Sequence, residues 1–256
     1  YDRLKGIKMA LLPRRSGRPV NWQLEDKKVD LAIFASAIRP HLWMPLYESL
    51  ASSNKCSFKM FFCGHVRPDF ELPKNFIHIY SEMPAAPCVE IAYRHAMAEN
   101  SKYIMHFTDD CILPPNILDK LIQDVRWSEK PLIVGPAYVQ PHHHHDHSKI
   151  ISLHIVTGDE ASPLVPLFQV MKRSTSERVG GLDKRFKAIY WDLDRLLRFH
   201  ALGGLEFKVR EDIVISEIFM EKNQSSLWRD YNQVDKPFLQ SLWTYPTTGN
   251  PNEKIQ

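Results

Sequence analysis

Cysteine is scarce in this chain, and its placement is uninformative for cross-linking. Cys56, Cys63, Cys88 and Cys111 are spread over 256 residues with no CxxC pair. That spacing argues against a disulfide framework or a zinc ribbon, and all four read as reduced thiols of a cytoplasmic protein. Long apolar runs are missing as well. No stretch approaches the ~20 residues of a membrane-spanning helix, and none reads as a signal peptide. Charge of one sign is nearly absent in net terms. The balance is +3, with no block of Lys and Arg and no basic helix, so nucleic acid is not an expected partner. There are 10 glycines, and none lies in Ser36-Ala-Ile-Arg-Pro40, the loop after the first strand-like run. A glycine-rich phosphate loop is therefore missing there. No internal repeat is present. What remains is the composition of an ordinary soluble globular protein, 44% hydrophobic and 25% charged, long enough for one large domain or two small ones.

The stretch Tyr103-Ile-Met-His-Phe-Thr-Asp-Asp-Cys-Ile-Leu-Pro-Pro-Asn116 organises the rest. Tyr103, Ile104, Met105 and Phe107 fit a short strand covered on both faces. Asp109 and Asp110 follow at its carboxyl end, where ligands collect in open α/β sheets. Two adjacent carboxylates repel unless a cation or hydrogen-bond donors stand between them. A hard divalent cation that also holds phosphate oxygens is the expected partner.

Around this stretch the chain alternates. Strands are expected over 29–35, 58–63, 76–80 and 131–135, and helices over 41–51, from Pro87 past Met97, and over 116–127. Alternation of this kind gives a mixed, mostly parallel α/β sheet flanked by helices. In the second half, 149–156 and 165–172 read as paired strands. Helices are expected over 174–179 and 192–200, the second with Asp192 as N-cap, and strands over 207–209 and 213–219. The single domain is expected to span 29–220. Residues 1–28 read as an N-terminal arm, and 221–256 as an aromatic and polar tail packing on the domain, helical over 227–231 and 236–243. Trp228, Tyr231, Phe238, Trp243 and Tyr245 there either cap an acceptor cleft or pack as core. The run from His142 to His147 reads as a solvated loop, with an acceptor rim as the alternative, because consecutive histidines cannot all face one ion.

Three segments carry a resemblance. Leu31–Leu50 is a strand, a loop with Ser36 and Arg39-Pro40, and a helix. Tyr103–Leu121 is a strand, an acid cluster and an Ile-Leu-Pro-Pro run before a helix. Gly180-Gly-Leu-Asp-Lys-Arg-Phe186 is followed by Trp191-Asp192-Leu-Asp194. In this order the chain resembles family 2 glycosyltransferases with the GT-A, nucleotide-diphospho-sugar transferase fold, over about residues 29–220. The resemblance implies that Ala35 and Ser36 line the nucleotide pocket. Asp109 would face the ribose or metal-bound phosphate, and Asp110 would hold Mn²⁺ or Mg²⁺. Asp192 matches the catalytic base, with Asp194 beside it and Trp191 placed to stack on the acceptor. Arg39 is a candidate for a phosphate contact.

The pattern also departs from that family. A third acid is replaced by Cys111, a poor ligand for a hard cation. The base-reading acid after the second strand is replaced by Cys63-Gly64-His65, with Asp69 or Glu71 as possible substitutes. The activity implied is a metal-dependent, inverting transfer of a sugar from a UDP- or GDP-sugar to a saccharide hydroxyl. The rivals are a degenerate GT-A core that binds nucleotide or carbohydrate without turnover, and a sugar nucleotidyltransferase, which the glycine-free loop disfavours.

Overall fold

The computed structural model describes residues 29–52, 55–139, 153–154, 164–165, 168–218 and 226–243. The arm over 1–28 and the histidine run lie outside the described residues, as do positions 219–225 and 244–256. The elements in order are β1 (Leu31–Ser36), α1 (Pro40–Ala51), β2 (Phe58–Gly64), β3 (Phe76–Tyr80), α2 (Ala85–Ala98), β4 (Tyr103–His106), β5 (Cys111–Ile112) and α3 (Ile117–Trp127). They continue with β6 (Leu132–Val139), β7 (Leu153–His154), β8 (Leu164–Val165), β9 (Val170–Lys172), α4 (Arg173–Val179), α5 (Trp191–Leu202), β10 (Glu206–Glu217) and α6 (Ser226–Leu242).

The main sheet has eight strands in the order β3-β2-β1-β4-β9-β6-β10-β5. β1, β2, β3 and β4 run parallel, as do β6 and β10, whereas β9 and the short β5 run against their neighbours. Alternation along each strand sends side chains into two layers. Leu31, Ile33, Ala35, Met60, Phe62 and Met105 face α1 and α3, burying Trp43, Leu46, Leu118, Leu121 and Val125 between them. Ala32, Phe34, Phe61, Cys63 and Ile104 face the other way, onto Val89 and Ala92 of α2, Leu196 and Leu197 of α5, and Leu239 of α6. The result is a three-layer α/β sandwich in which the central strands are buried on both faces, as their unbroken apolar runs require.

Several expectations are corrected. The run 165–172 is not one strand. Val165 closes a two-stranded ribbon with Leu153–His154, and Val170–Lys172 enters the main sheet between β4 and β6. Its three residues are too few for a periodicity signal, so only pairing decides its place. The two strands expected over 207–219 are one, β10, with an irregularity between Arg210 and Val214. The two short helices of the tail are one helix that carries Pro237 inside it. Cys111–Ile112, for which no strand was expected, pairs antiparallel with Glu217 and Ser216.

Candidate active site

The carboxyl ends of β1 and β4 meet at one mouth of the sheet. α1 opens from this mouth behind Arg39, with Pro40 at its first turn, where a missing N–H costs nothing. Asp109 is the hub. It is 1% exposed. Its Oδ2 accepts the backbone N–H groups of Ile38 and Arg39, both at 2.7 Å, and the Trp43 indole N–H at 3.2 Å. Its Oδ1 accepts Arg39 Nη1 at 2.6 Å. A carboxylate at the positive end of a helix is favourably placed. Asp109 therefore ties the end of β4 to the loop and helix that follow β1.

Asp110 points its Oδ2 at the same guanidinium, 3.3 Å from Arg39 Nη1. Its Oδ1 accepts the Thr108 hydroxyl at 2.6 Å. Burial pushes the Asp110 carboxyl above its usual range, and Arg39 and then the Thr108 bond oppose that rise. The neighbouring Cys111 thiol is buried.

On the opposite face of β4, His106 packs edge-on against Trp191 with ring centroids 4.8 Å apart, and against Phe34 at 5.5 Å. This contact brings the first turn of α5 to the end of the strand that carries Asp109. Trp191 is 8% exposed, and its indole donates to Ala188 O at 3.2 Å, so the ring seats the helix. α5 begins one residue earlier than the sequence suggested. Tyr190 precedes it at φ 62°, and Asp192 sits in its first turn, accepting the Leu193 N–H at 2.9 Å. Burial raises the Asp192 carboxyl above the ordinary carboxylate range, a direction that suits a general base.

Asp194 points elsewhere, because two residues along a helix are turned by about 200°. It binds Arg198 Nε at 3.0 Å and accepts the Trp243 indole at 2.9 Å. It lines a separate open cavity of about 590 Å³ with Glu90, Arg94, Asp183, Arg185 and Trp243. Ala35 is buried toward α1 and α3, and Ser36 is half-buried at the strand's end. Asp69 and Glu71 are exposed in the loop after β2.

The sequence did not reveal Trp43 as a ligand of Asp109, because an apolar helix position gives no sign of its indole's partner. Nor did it reveal Gln169. This residue is 2% exposed, accepts the His106 N–H through its backbone, and keeps a buried Oε1 without a partner among the described residues.

A hard divalent cation takes about six oxygen ligands, several of which water and substrate can supply. Asp109 is engaged by N–H donors on both oxygens, three on Oδ2 and one on Oδ1. The remaining oxygen of Asp110 already faces a guanidinium. Among the described residues no group of three or more His, Cys, Asp or Glu is arranged to hold a metal. As arranged among the described residues, Asp109 and Asp110 are held by the chain's own donors and do not fit a resident Mn²⁺ or Mg²⁺.

No family model and no curated protein matches the sequence. The fold does have relatives among solved structures. The chain is similar to the crystal structure of residues 1–349 of S. aureus TarS, a glycosyltransferase, with TM-score 0.51 and 10% identity over 74% of this chain and 60% of that one. The TarS structure in complex with UDP gives TM-score 0.51 and 10% identity over 78% of this chain and 63% of the other. The chain thus spans less than two thirds of each TarS structure. At this identity the likeness shows the fold, a mixed α/β architecture of the GT-A type.

Proposed function

We propose that the protein transfers a glycosyl group from a nucleoside-diphosphate sugar, UDP- or GDP-linked, to a saccharide hydroxyl with inversion. The observation that carries this reading is the convergence of Arg39, Asp109 and Asp110 with the first turn of α5 around the end of β4. In this reading Ser36 and the loop to Arg39 receive the nucleotide, and Asp192 faces the acceptor. The acceptor oxygen attacks the anomeric carbon from the side opposite the diphosphate. The bond from that carbon to the diphosphate oxygen breaks, and its electron pair leaves with the nucleoside diphosphate. The acceptor proton passes to the Asp192 carboxylate. In inverting hydrolases, too, a carboxylate acts as general base on the face of the sugar opposite the leaving group.

A second reading, a core that binds nucleotide without turnover, is favoured by one observation: Asp109 is wholly engaged in holding the fold. Incubation with a panel of UDP- and GDP-sugars and saccharide acceptors, with chelator or with Mn²⁺, separates the two. Nucleoside diphosphate release from one donor is the expected result. Binding without release supports the second reading, and neither binding nor release removes both.

A further inference from the structure

We infer that the Arg39 guanidinium, rather than a divalent cation, is the positive charge that meets the donor's diphosphate at this mouth. The inference rests on the glycosyl-transfer reading and narrows how the same site holds its substrate. Two adjacent carboxylates at a sheet's end need a cation or hydrogen-bond donors between them. Here the chain supplies its own: Arg39 Nη1 lies 2.6 Å from Asp109 Oδ1 and 3.3 Å from Asp110 Oδ2. The backbone fixes that placement, because the Arg39 N–H is itself bound to Asp109 Oδ2 at 2.7 Å.

Arg39 is also the residue before Pro40, so the guanidinium and the positive end of α1 converge at the same point. Its side chain is 18% exposed, against 1% for Asp109. A planar fork of five N–H donors can bridge a carboxylate and a phosphate oxygen at once, which a lysine ammonium does poorly. As the bond to the anomeric carbon breaks, its electron pair settles on the departing phosphate oxygen. Fixed N–H donors aimed at that oxygen stabilise the growing charge. The aspartates then act as positioning residues that hold the guanidinium in place.

The test is calorimetric titration of UDP and of GDP into the full chain, once in EDTA and once with Mn²⁺. The expected result is that one nucleotide binds in EDTA within about threefold of its affinity in Mn²⁺. Removing Arg39 alone leaves two acids uncompensated and risks unfolding. The decisive variant is therefore the double change Arg39→Met with Asp110→Asn, its fold checked by circular dichroism and a thermal melt. It should lose at least about tenfold in affinity in EDTA, and Arg39→Lys should lose an intermediate amount. Binding confined to Mn²⁺, or a folded double variant that binds like the wild type in EDTA, overturns the inference and leaves the transferase reading standing. No binding of either nucleotide in either condition overturns both.

Discussion

Asp109 and Asp192 are the same side chain in two different environments. Asp109 is met by N–H donors on both oxygens and is nearly inaccessible. Its work is structural, and its loss should show in stability. Asp109→Ala strands two backbone N–H groups, an indole and a guanidinium. It should cost about 3–5 kcal/mol, the range for breaking a buried ion pair, read as a fall in melting temperature on the order of 10 °C. A melt within a degree or two of wild type would show that the loop holds itself. Asp192 is the opposite case, because burial raises its carboxyl above the ordinary value. Between that ordinary value and its raised one, the folded state binds more protons than the unfolded state. Stability therefore falls as pH rises through the window and stays lower above it. Asp192→Asn removes this cost. We expect a melting temperature at pH 7 equal to or above that of wild type, with turnover reduced by about 10²–10⁴-fold. The acid limb of kcat/KM in the wild type should lie above the usual carboxylate range. Turnover near the wild-type rate in Asp192→Asn would remove it as the base.

At the scale of elements, the site depends on how closely neighbouring elements approach. β2 ends at Gly64, whose carbonyl accepts a bond from the His78 ring at 3.2 Å. A methyl group at Gly64 would stand 2.0 Å from Ala37 O in the β1–α1 loop. Only glycine lets that loop settle against β2 while Asp109 grips it from the other side. Gly64→Ala should therefore cost about 1–3 kcal/mol and weaken nucleoside diphosphate binding, because the displaced segment carries Ser36 and Arg39. Unchanged affinity in a folded Gly64→Ala protein would show that the loop's position does not matter for the nucleotide. The Asp192 side of the site has its own buttress. Asp235 of α6 is fully buried and accepts the N–H groups of Lys187, Ala188 and Ile189 at 2.8 to 3.0 Å. Asn232 accepts the Tyr190 hydroxyl at 2.8 Å, and Phe238 packs edge-on to Phe186 at 4.8 Å. These contacts fix the turn that launches α5.

For the molecule as a whole, α6 is part of the folded body. Leu239 is fully buried in the layer shared by α2 and α5. A chain truncated before Ser226 should lose cooperative unfolding, or melt well below the full chain. Any residual fold should bind nucleotide better than it turns over donor, since α6 supports the Asp192 side and not the Arg39 side. Full turnover in the truncated chain would contradict that division. No helix among the described residues is long and apolar enough to cross a membrane.

Apart from the two-residue β5, the strands and helices up to β6 were legible in the sequence. Each is a largely apolar run or a helical stripe, so local pattern and tertiary role agree. The pair Asp109-Asp110 was legible too, because acids directly after a buried strand stand at the sheet's mouth, where both charges must be met. Less could be read where the chain's local pattern is short or mixed. The middle strand Val170–Lys172 is set by its two partners, β4 and β6. The division of Asp192 from Asp194 is set by the turn of one helix between two different neighbours. Above all, residue order alone could show that two neighbouring carboxylates require a positive partner. It could not show that Arg39, some seventy positions earlier, would supply it, because that depends on β1 and β4 lying side by side. Local chemistry set the requirement, and long-range strand pairing chose what met it.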